Sequence, residues 1–492
     1  MTGRAALWGG LLVGAVAAQP RVTTLQVGKD EVVLALSTVD VDGDGRADIA
    51  VVVRDEASTR RRLLLFVQRS VLGAPAFEAA PTQTRVLEPD VVAFAFADSD
   101  GARGAELILC TPRVIAMAAW PSGEPRALGT ARVLWQPGHA GSVVSLQGFV
   151  RDLDGDGLAD LVVPEPDGYR VALQRRDADG TRLLMQPLNV PPSTQLPAFL
   201  RGRVDSNDRS LRISLGDDER EPLLDVSEEV AVPRVLDFDG DGDLDIVALT
   251  RPNLHVFAQQ PGGVFAPAPT VSHAMAATER TLLLEPVFFA DAVDLDGDGK
   301  GELVVCRAQT RGGDAFETVV EVWAPSEKDA RARLRLQGLA APPLFDDVDG
   351  DGAPDLTIGT LRTDMLGQLS GGGDDVEVQL NVFLLRGGKP KLPAALTWRT
   401  RLSPQAVEGA RSVAAEFFGD ADGDGVRDLL LHDSARTLQV LKGVRAGEGL
   451  RVEPFWHTAL PDGARPPFRI ARTPCDDIVV VAKQEILHVR FR

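Results

Sequence analysis

Three cysteines, one tyrosine and six histidines in 492 residues leave this sequence poor in the side chains that most often do chemistry. Cys110, Cys306 and Cys475 are odd in number and far apart, so they supply neither a disulfide framework nor a paired Cys-x-x-Cys metal site. Cys110 and Cys306 close apolar runs (Leu107-Ile108-Leu109-Cys110 and Leu303-Val304-Val305-Cys306), where buried thiols are expected. Positive charge is scarce as well: 52 Lys and Arg stand against 71 Asp and Glu, a formal net charge of −19. Such a balance repels phosphate backbones and anionic lipid, which argues against nucleic-acid binding and makes cations the expected partners. A Ser-His-Asp set, an HExxH pair and a Gly-rich phosphate loop are missing too, so no conventional active site is legible.

Apolar runs of the ~20 residues that cross a bilayer are also absent. The nearest approach is the start of the chain, where Arg4, a short apolar stretch and the small residues Ala15, Ala17 and Ala18 precede Gln19-Pro20. Residues 1–18 therefore read as a signal peptide. The expectation is a chain exported to the periplasm, cell surface or medium, monomeric and without a membrane span after cleavage. Residues 19–492 are expected to form one domain.

What the sequence has in quantity is a repeat. The pattern Asp-x-Asp-Gly-Asp-Gly-x-x-Asp/Glu starts at Asp40, Asp152, Asp237, Asp294, Asp347 and Asp420. A worn copy, DSDGARGAE, begins at Asp98, and Asp477-Ile478-Val479-Val480 resembles the end of a further copy whose start falls near Arg469. The spacing suits a propeller blade with two insertions, placed at about 175–230 and 361–380, the second holding Ser370-Gly371-Gly372-Gly373.

Short β-rich runs precede the loops, as in Val32-Val33-Leu34-Ala35-Leu36, Val143-Val144-Ser145-Leu146 and Pro286-Val287-Phe288-Phe289. Nearly continuous apolar runs follow them, as in Ile49-Ala50-Val51-Val52-Val53, which is the pattern of strands buried on both faces. Four strands per unit repeated radially give an all-β propeller of four-stranded antiparallel blades, seven or eight in number. The last unit stops after its third strand, and a spare strand over residues 21–27 precedes the first; pairing the two would close the ring.

Calcium takes six to eight oxygens at roughly 2.3–2.6 Å, so a short loop can surround it only if carboxylates recur at alternate positions. Positions one, three, five and nine supply them: Asp40, Asp42, Asp44 and Asp48; Asp152, Asp154, Asp156 and Asp160; Asp237, Asp239, Asp241 and Asp245; Asp294, Asp296, Asp298 and Glu302; Asp347, Asp349, Asp351 and Asp355; Asp420, Asp422, Asp424 and Asp428. Position seven, held by Arg46, Leu158, Asp243, Lys300, Ala353 and Val426, can offer a backbone carbonyl. An EF-hand is excluded because position twelve is apolar in every copy rather than Glu. Magnesium prefers a smaller octahedron and zinc wants His or Cys, so calcium (Ca2+), at about six sites, is the expected ion. The copy at Asp98 keeps Asp98, Asp100 and Glu106 but has Ala102 at position five and Arg103 for the second glycine; it is expected to be weak or empty, with Arg103 supplying positive charge.

On these loops and the Asp-Leu or Asp-Ile and apolar strand that close them, as in Asp160-Leu161-Val162-Val163 and Asp355-Leu356-Thr357-Ile358, the chain resembles the FG-GAP/VCBS repeat family. That propeller type is seen in integrin α-subunits and in many exported bacterial proteins. The resemblance implies a calcium-rigidified scaffold whose loops bind a protein or glycan ligand. Its rival is a propeller enzyme of the sugar lyase or dehydratase type with a site at the central channel, for which His432 and His457 are the first residues to inspect. Trp135, Trp398 and Trp456 precede repeat boundaries and are read as packing residues.

Overall fold

The computed structural model describes residues 20–491 apart from 72–73, 100, 134–142, 166, 178–179, 191–232, 251–252, 275–287, 311–315, 325–328, 341–342, 362–375, 403–417, 433–435, 462–463, 465–466, 472–474 and 483. Residues 1–18, most of both insertions, Asp100 and Trp135 therefore lie outside the described residues.

Eight antiparallel meanders follow one another along the chain, at residues 31–87, 93–130, 150–189, 233–274, 288–337, 339–402, 418–459 and 468–490, and are numbered as blades one to eight in that order. In every blade the second strand begins on the ninth residue of the repeat, giving Asp48–Asp55, Glu106–Cys110, Asp160–Glu165, Asp245–Thr250, Glu302–Thr310, Asp355–Leu361, Asp428–His432 and Asp477–Val481. The worn copies thus hold the same place as the intact ones. Blade eight receives its fourth strand from the other end of the chain: Arg21–Gln26 pairs with Glu485–Arg490, from Arg21 opposite Arg490 to Gln26 opposite Glu485. The ring has eight blades, closed by its two termini.

Burial explains the unbroken apolar runs. Alternate residues of a strand face opposite sides, and in Asp48–Asp55 both sides are covered. Ile49, Val51 and Val53 pack with Leu25, Val479 and Ile486 of blade eight, whereas Ala50 and Val52 pack with Phe94, Phe96 and Leu107 of blade two. The same division recurs around the ring, so the core consists of apolar layers between successive blades, the last joining blades seven and eight through Leu430, Val440, Ile478 and Val489. None of the three cysteines forms a disulfide and all are buried, Cys110 and Cys306 within these layers, where burial pushes their thiols up to about 12. Trp456 packs edge-on against Phe491, with ring centroids 5.4 Å apart.

One expected strand behaves differently. The run at 143–146 does not lead blade three; Val144–Ser145 pairs parallel with Ala93 and Phe94 of blade two. A 3₁₀ turn, Gln147–Phe149, then passes the chain to the true first strand, Val150–Arg151. Gln147 fixes the crossing, because its amide oxygen accepts from the Phe96 N–H and its amide nitrogen donates to the Phe96 carbonyl, both at 2.9 Å. The stretch expected as the first insertion, about 175–230, begins inside the hairpin Gly168–Asp177 and Gly180–Asn189, the outer half of blade three.

Candidate metal sites on one rim of the ring

Because each Asp-rich loop joins the first strand of its blade to the second, all of them sit on the same rim. Their folding is dictated by short-range hydrogen bonds to aspartate, the residue type best able to hold nearby backbone N–H groups. In the six intact loops the N–H of position six donates to one oxygen of position one at 2.7–3.0 Å. The N–H of position seven donates to position five at 2.9–3.0 Å, which fixes the peptides of Arg46, Leu158, Asp243, Lys300, Ala353 and Val426. Both glycines of each loop have positive φ, for example 70° at Gly43 and 82° at Gly45, a conformation in which any side chain is strained.

Position nine anchors the loop to its blade. One oxygen accepts from the N–H of position two at 2.8–3.0 Å. In five loops the other accepts an N–H from the third strand or just past it, at 2.7–3.0 Å. These carboxyls are fully shielded: Asp48, Asp160, Asp355 and Asp428 are all 0% exposed. Burial, partly opposed by those N–H bonds, raises Asp48 and Asp355 to about 6 and Asp160 and Asp428 to about 7. Asp245 and Glu302 are raised for the same reason.

Carboxylate oxygens converge as a consequence. Ligand atoms of Asp40, Asp42 and Asp48 lie within 4.8 Å of one another, as do those of Asp152, Asp154 and Asp160; of Asp237, Asp239 and Asp241; of Asp294, Asp296 and Glu302; and of Asp347, Asp349 and Asp351. Several acidic clusters are therefore able to hold a metal ion. The donor set fits a hard cation, since every side chain in these groups is a carboxylate. One oxygen makes the need explicit: Asp349 Oδ1 is buried without a hydrogen-bond partner, an acceptor for which a cation is the natural complement.

The two worn loops are satisfied by protein groups. In blade two, Glu106 accepts from the backbone and hydroxyl of Ser99 at 3.0 and 2.7 Å. Arg103, expected to add charge to its own loop, instead crosses to blade one, where its Nε donates to the Asp42 carbonyl at 3.1 Å. The side chain leaves its loop because Gly43 of the neighbour has no Cβ; one placed there would lie 2.6 Å from the Arg103 stem. In blade eight Asp477 is held by Arg490 and by His488, whose Nε2 lies 2.9 Å away. Burial raises the Asp477 carboxyl, but these two partners outweigh it and hold it well below the usual range.

A further contact links the loops into a circle. The N–H of position eight donates to a carbonyl at position one or two of the preceding blade's loop, as seen for Ala105 to Val41, Ala159 to Asp98, Gly301 to Asp237, Arg427 to Val348 and Asp476 to Asp420, at 2.7–3.1 Å. Blade six has Pro354 at this position, which has no N–H to give. Sequence reasoning missed this stitch, although the small residues at position eight (Ala47, Ala105, Ala159, Gly301) were a signal for close approach between blades.

His255 is 2.9 Å from Ser272 within blade four, His488 belongs to Asp477, and His432 and His457 lie on the second and fourth strands of blade seven. Among the described residues no helix is long and apolar enough to cross a membrane.

Residues 237–305, which contain the loops of blades four and five, match the family model of the FG-GAP-like repeat. No curated protein sequence matches the chain. Among solved structures it is similar to the WD40 domain of SCAP from fission yeast, at 10% identity and a TM-score of 0.44 over 96% of this chain and 98% of that one. It is also similar to an Agrocybe aegerita lectin described as recognising non-reducing terminal N-acetylglucosamine, at 16% identity and a TM-score of 0.36 over 88% of this chain and 93% of that one. With acidic loops at the head of its second strands and a ring sealed by pairing of its first and last strands, the chain is an eight-bladed β-propeller that carries an FG-GAP-like repeat over residues 237–305.

Proposed function

We propose that this propeller is an exported calcium-binding scaffold that presents a protein or glycan ligand with a surface rigidified by bound ions. The observation that carries the calcium reading is the convergence of three carboxylate ligand atoms within 4.8 Å in loop after loop, each held by the same backbone bonds. Like charges so close are destabilising unless a cation joins them. Positions one, three, five and nine would hold it, with the position-seven carbonyl. Export is supported by the signal-like residues 1–18 and by calcium's abundance outside cells, where modules with millimolar affinity are filled. The binding role is supported by the family resemblance and by the rigid frame that the ring gives its connecting loops.

Two measurements test this reading. Dialysed, natively folded protein resupplied with calcium should retain several equivalents by elemental analysis, and should melt at a higher temperature than in chelator. Extracellular modules bind at about 10⁻⁴–10⁻³ M, so millimolar calcium contributes on the order of 0.4–1.4 kcal/mol per filled site. Absence of any calcium uptake, or an unchanged melt, removes the reading. A glycan array and a pull-down against surface proteins, each run with calcium and with chelator, test the scaffold role; binding indifferent to calcium would separate the ions from the ligand.

A further inference from the structure

The loops differ in what already neutralises them. In blade three Arg175 pairs with Asp154 and lies 3.0 Å from Asp156. In blade six Arg386 lies 2.7 Å from Asp349 and 2.5 Å from Asp351. In blade seven Lys442 pairs with Asp422 and lies 2.7 Å from Asp424. Three cations on three blades therefore bridge the same two carboxylates, positions three and five of their own loop. Each comes from beside the residue whose N–H anchors position nine: Gln174 before Arg175, Leu385 before Arg386 and Gly443 after Lys442. In blade four that neighbouring place, after the anchoring Gln259, is taken by the neutral, exposed Gln260. Among the described residues no ion pair reaches Asp239 or Asp241, and Asp243 adds a further carboxylate to that loop.

We infer that Arg175, Arg386 and Lys442 are resident cations of their loops, which calcium must displace, so that the rim carries sites of graded affinity with blade four the tightest. The inference rests on the calcium reading above. A side-chain cation at positions three and five neutralises the loop when calcium is absent and repels the ion when it arrives. Its presence stabilises the metal-free ring and weakens the site. Blade eight shows the end of this series, with Arg490 and His488 holding Asp477 as a permanent substitute for an ion. Both arms of the comparison are accessible to substitution, since Arg386 is half exposed and Lys442 about one-third exposed.

Calcium titration by calorimetry, with native mass spectrometry to count ions below saturation, decides the matter on the full chain. Arg386→Gln and Lys442→Gln should each convert one weak site into a tighter one, by about two- to tenfold for the loss of two ion pairs. Gln260→Arg should do the reverse, weakening the first equivalents bound. Arg451→Gln, which removes the pair with Glu453 on the fourth strand of blade seven, should leave all sites unchanged. In chelator the two Gln variants should melt lower than the parent, yet gain more from calcium; a purely structural role would lower both curves alike. If the parent binds calcium but the two Gln variants bind it equally or more weakly, or Gln260→Arg has no effect, the inference is overturned and the calcium reading stands. If the parent takes up no calcium, both fall.

Discussion

Lowering the pH from 7 to 5 perturbs the loops at their anchors. Asp160 and Asp428, raised by burial to about 7, and Asp48 and Asp355, raised to about 6, are ordinary carboxyls near 3.9 once the chain unfolds. Their folded values lie above the unfolded ones. Between about pH 4 and pH 7 the folded, metal-free ring therefore holds protons that the unfolded chain has released, and its stability falls as pH rises through that window. The rise from 3.8 to about 7 corresponds to about 4 kcal/mol for each of Asp160 and Asp428, with structural relaxation reducing it. Calcium needs the ionised form, so ion and proton compete.

The expected outcome has two parts. In chelator the protein should melt higher at pH 5 than at pH 7, whereas calcium should raise the pH 7 melt far more than the pH 5 melt. Calorimetry in two buffers of different ionisation enthalpy should show proton release on calcium binding, close to one per site at pH 6 in blades three and seven. Below about pH 6 the affinity of those sites should fall roughly tenfold per pH unit. Calcium binding without proton release, at an affinity unchanged between pH 5 and 7, would refute the claim that buried position-nine carboxyls are part of the sites.

Asp239→Ala should remove one calcium from the count, while Asp98→Ala in the worn loop of blade two should leave the count unchanged; elemental analysis of both variants reads this directly. Gly350→Ala should cost more stability than Gly352→Ala, although both glycines have positive φ (71° and 92°) and each substitution carries about 1–2 kcal/mol of backbone strain. At Gly350 the added carbon would also lie 2.0 Å from the Gly425 carbonyl of the next blade, whereas at Gly352 it meets nothing within 4 Å, so denaturant titration should rank them in that order. Asp477→Asn should cost about 3–5 kcal/mol equally in calcium and in chelator, because it strands the buried Arg490 and His488. That contribution is present at neutral pH and is lost as pH falls below about 4, since the folded Asp477 carboxyl is depressed.

Much of the ring was legible because the repeat does two jobs in nine residues. Asp-x-Asp-Gly-Asp-Gly forces a turn that only glycines in the left-handed region allow, and its last carboxylate opens a strand buried on both faces. Six intact copies, one worn copy and the remnant at Asp477 thus located all eight second strands, and the spare strand before the first repeat located the closure. Two things escaped for a physical reason. The run at 143–146 has the composition of any strand, and only the amide of Gln147, bonded to Phe96 some fifty residues earlier, assigns it to the wrong side of the loop. Arg175, Arg386 and Lys442 lie 19–37 residues from some of the aspartates they meet, with nothing in their local sequence to mark them.

The stitch between loops bears on how far the sites can act independently. Ala105 N–H donates to the carbonyl of Val41, position two of the blade-one loop, at 3.0 Å. A peptide clamped at that carbonyl is less free to adjust around Asp40 and Asp42, so the neighbouring blade helps to shape the cation site. Proline at Ala105 tests this cleanly, because Pro354 shows that the fold accepts proline at position eight of a loop. Ala105→Pro removes one backbone bond, expected to cost about 0.5–1.5 kcal/mol, and should weaken calcium binding in blade one while leaving the loop of blade four untouched. If stability falls and every calcium affinity is preserved, the stitch is only mechanical and each loop shapes its own site. Were stability itself unchanged, the hydrogen bond between Ala105 and Val41 would be making no contribution to the ring, and the coupling argument would go with it.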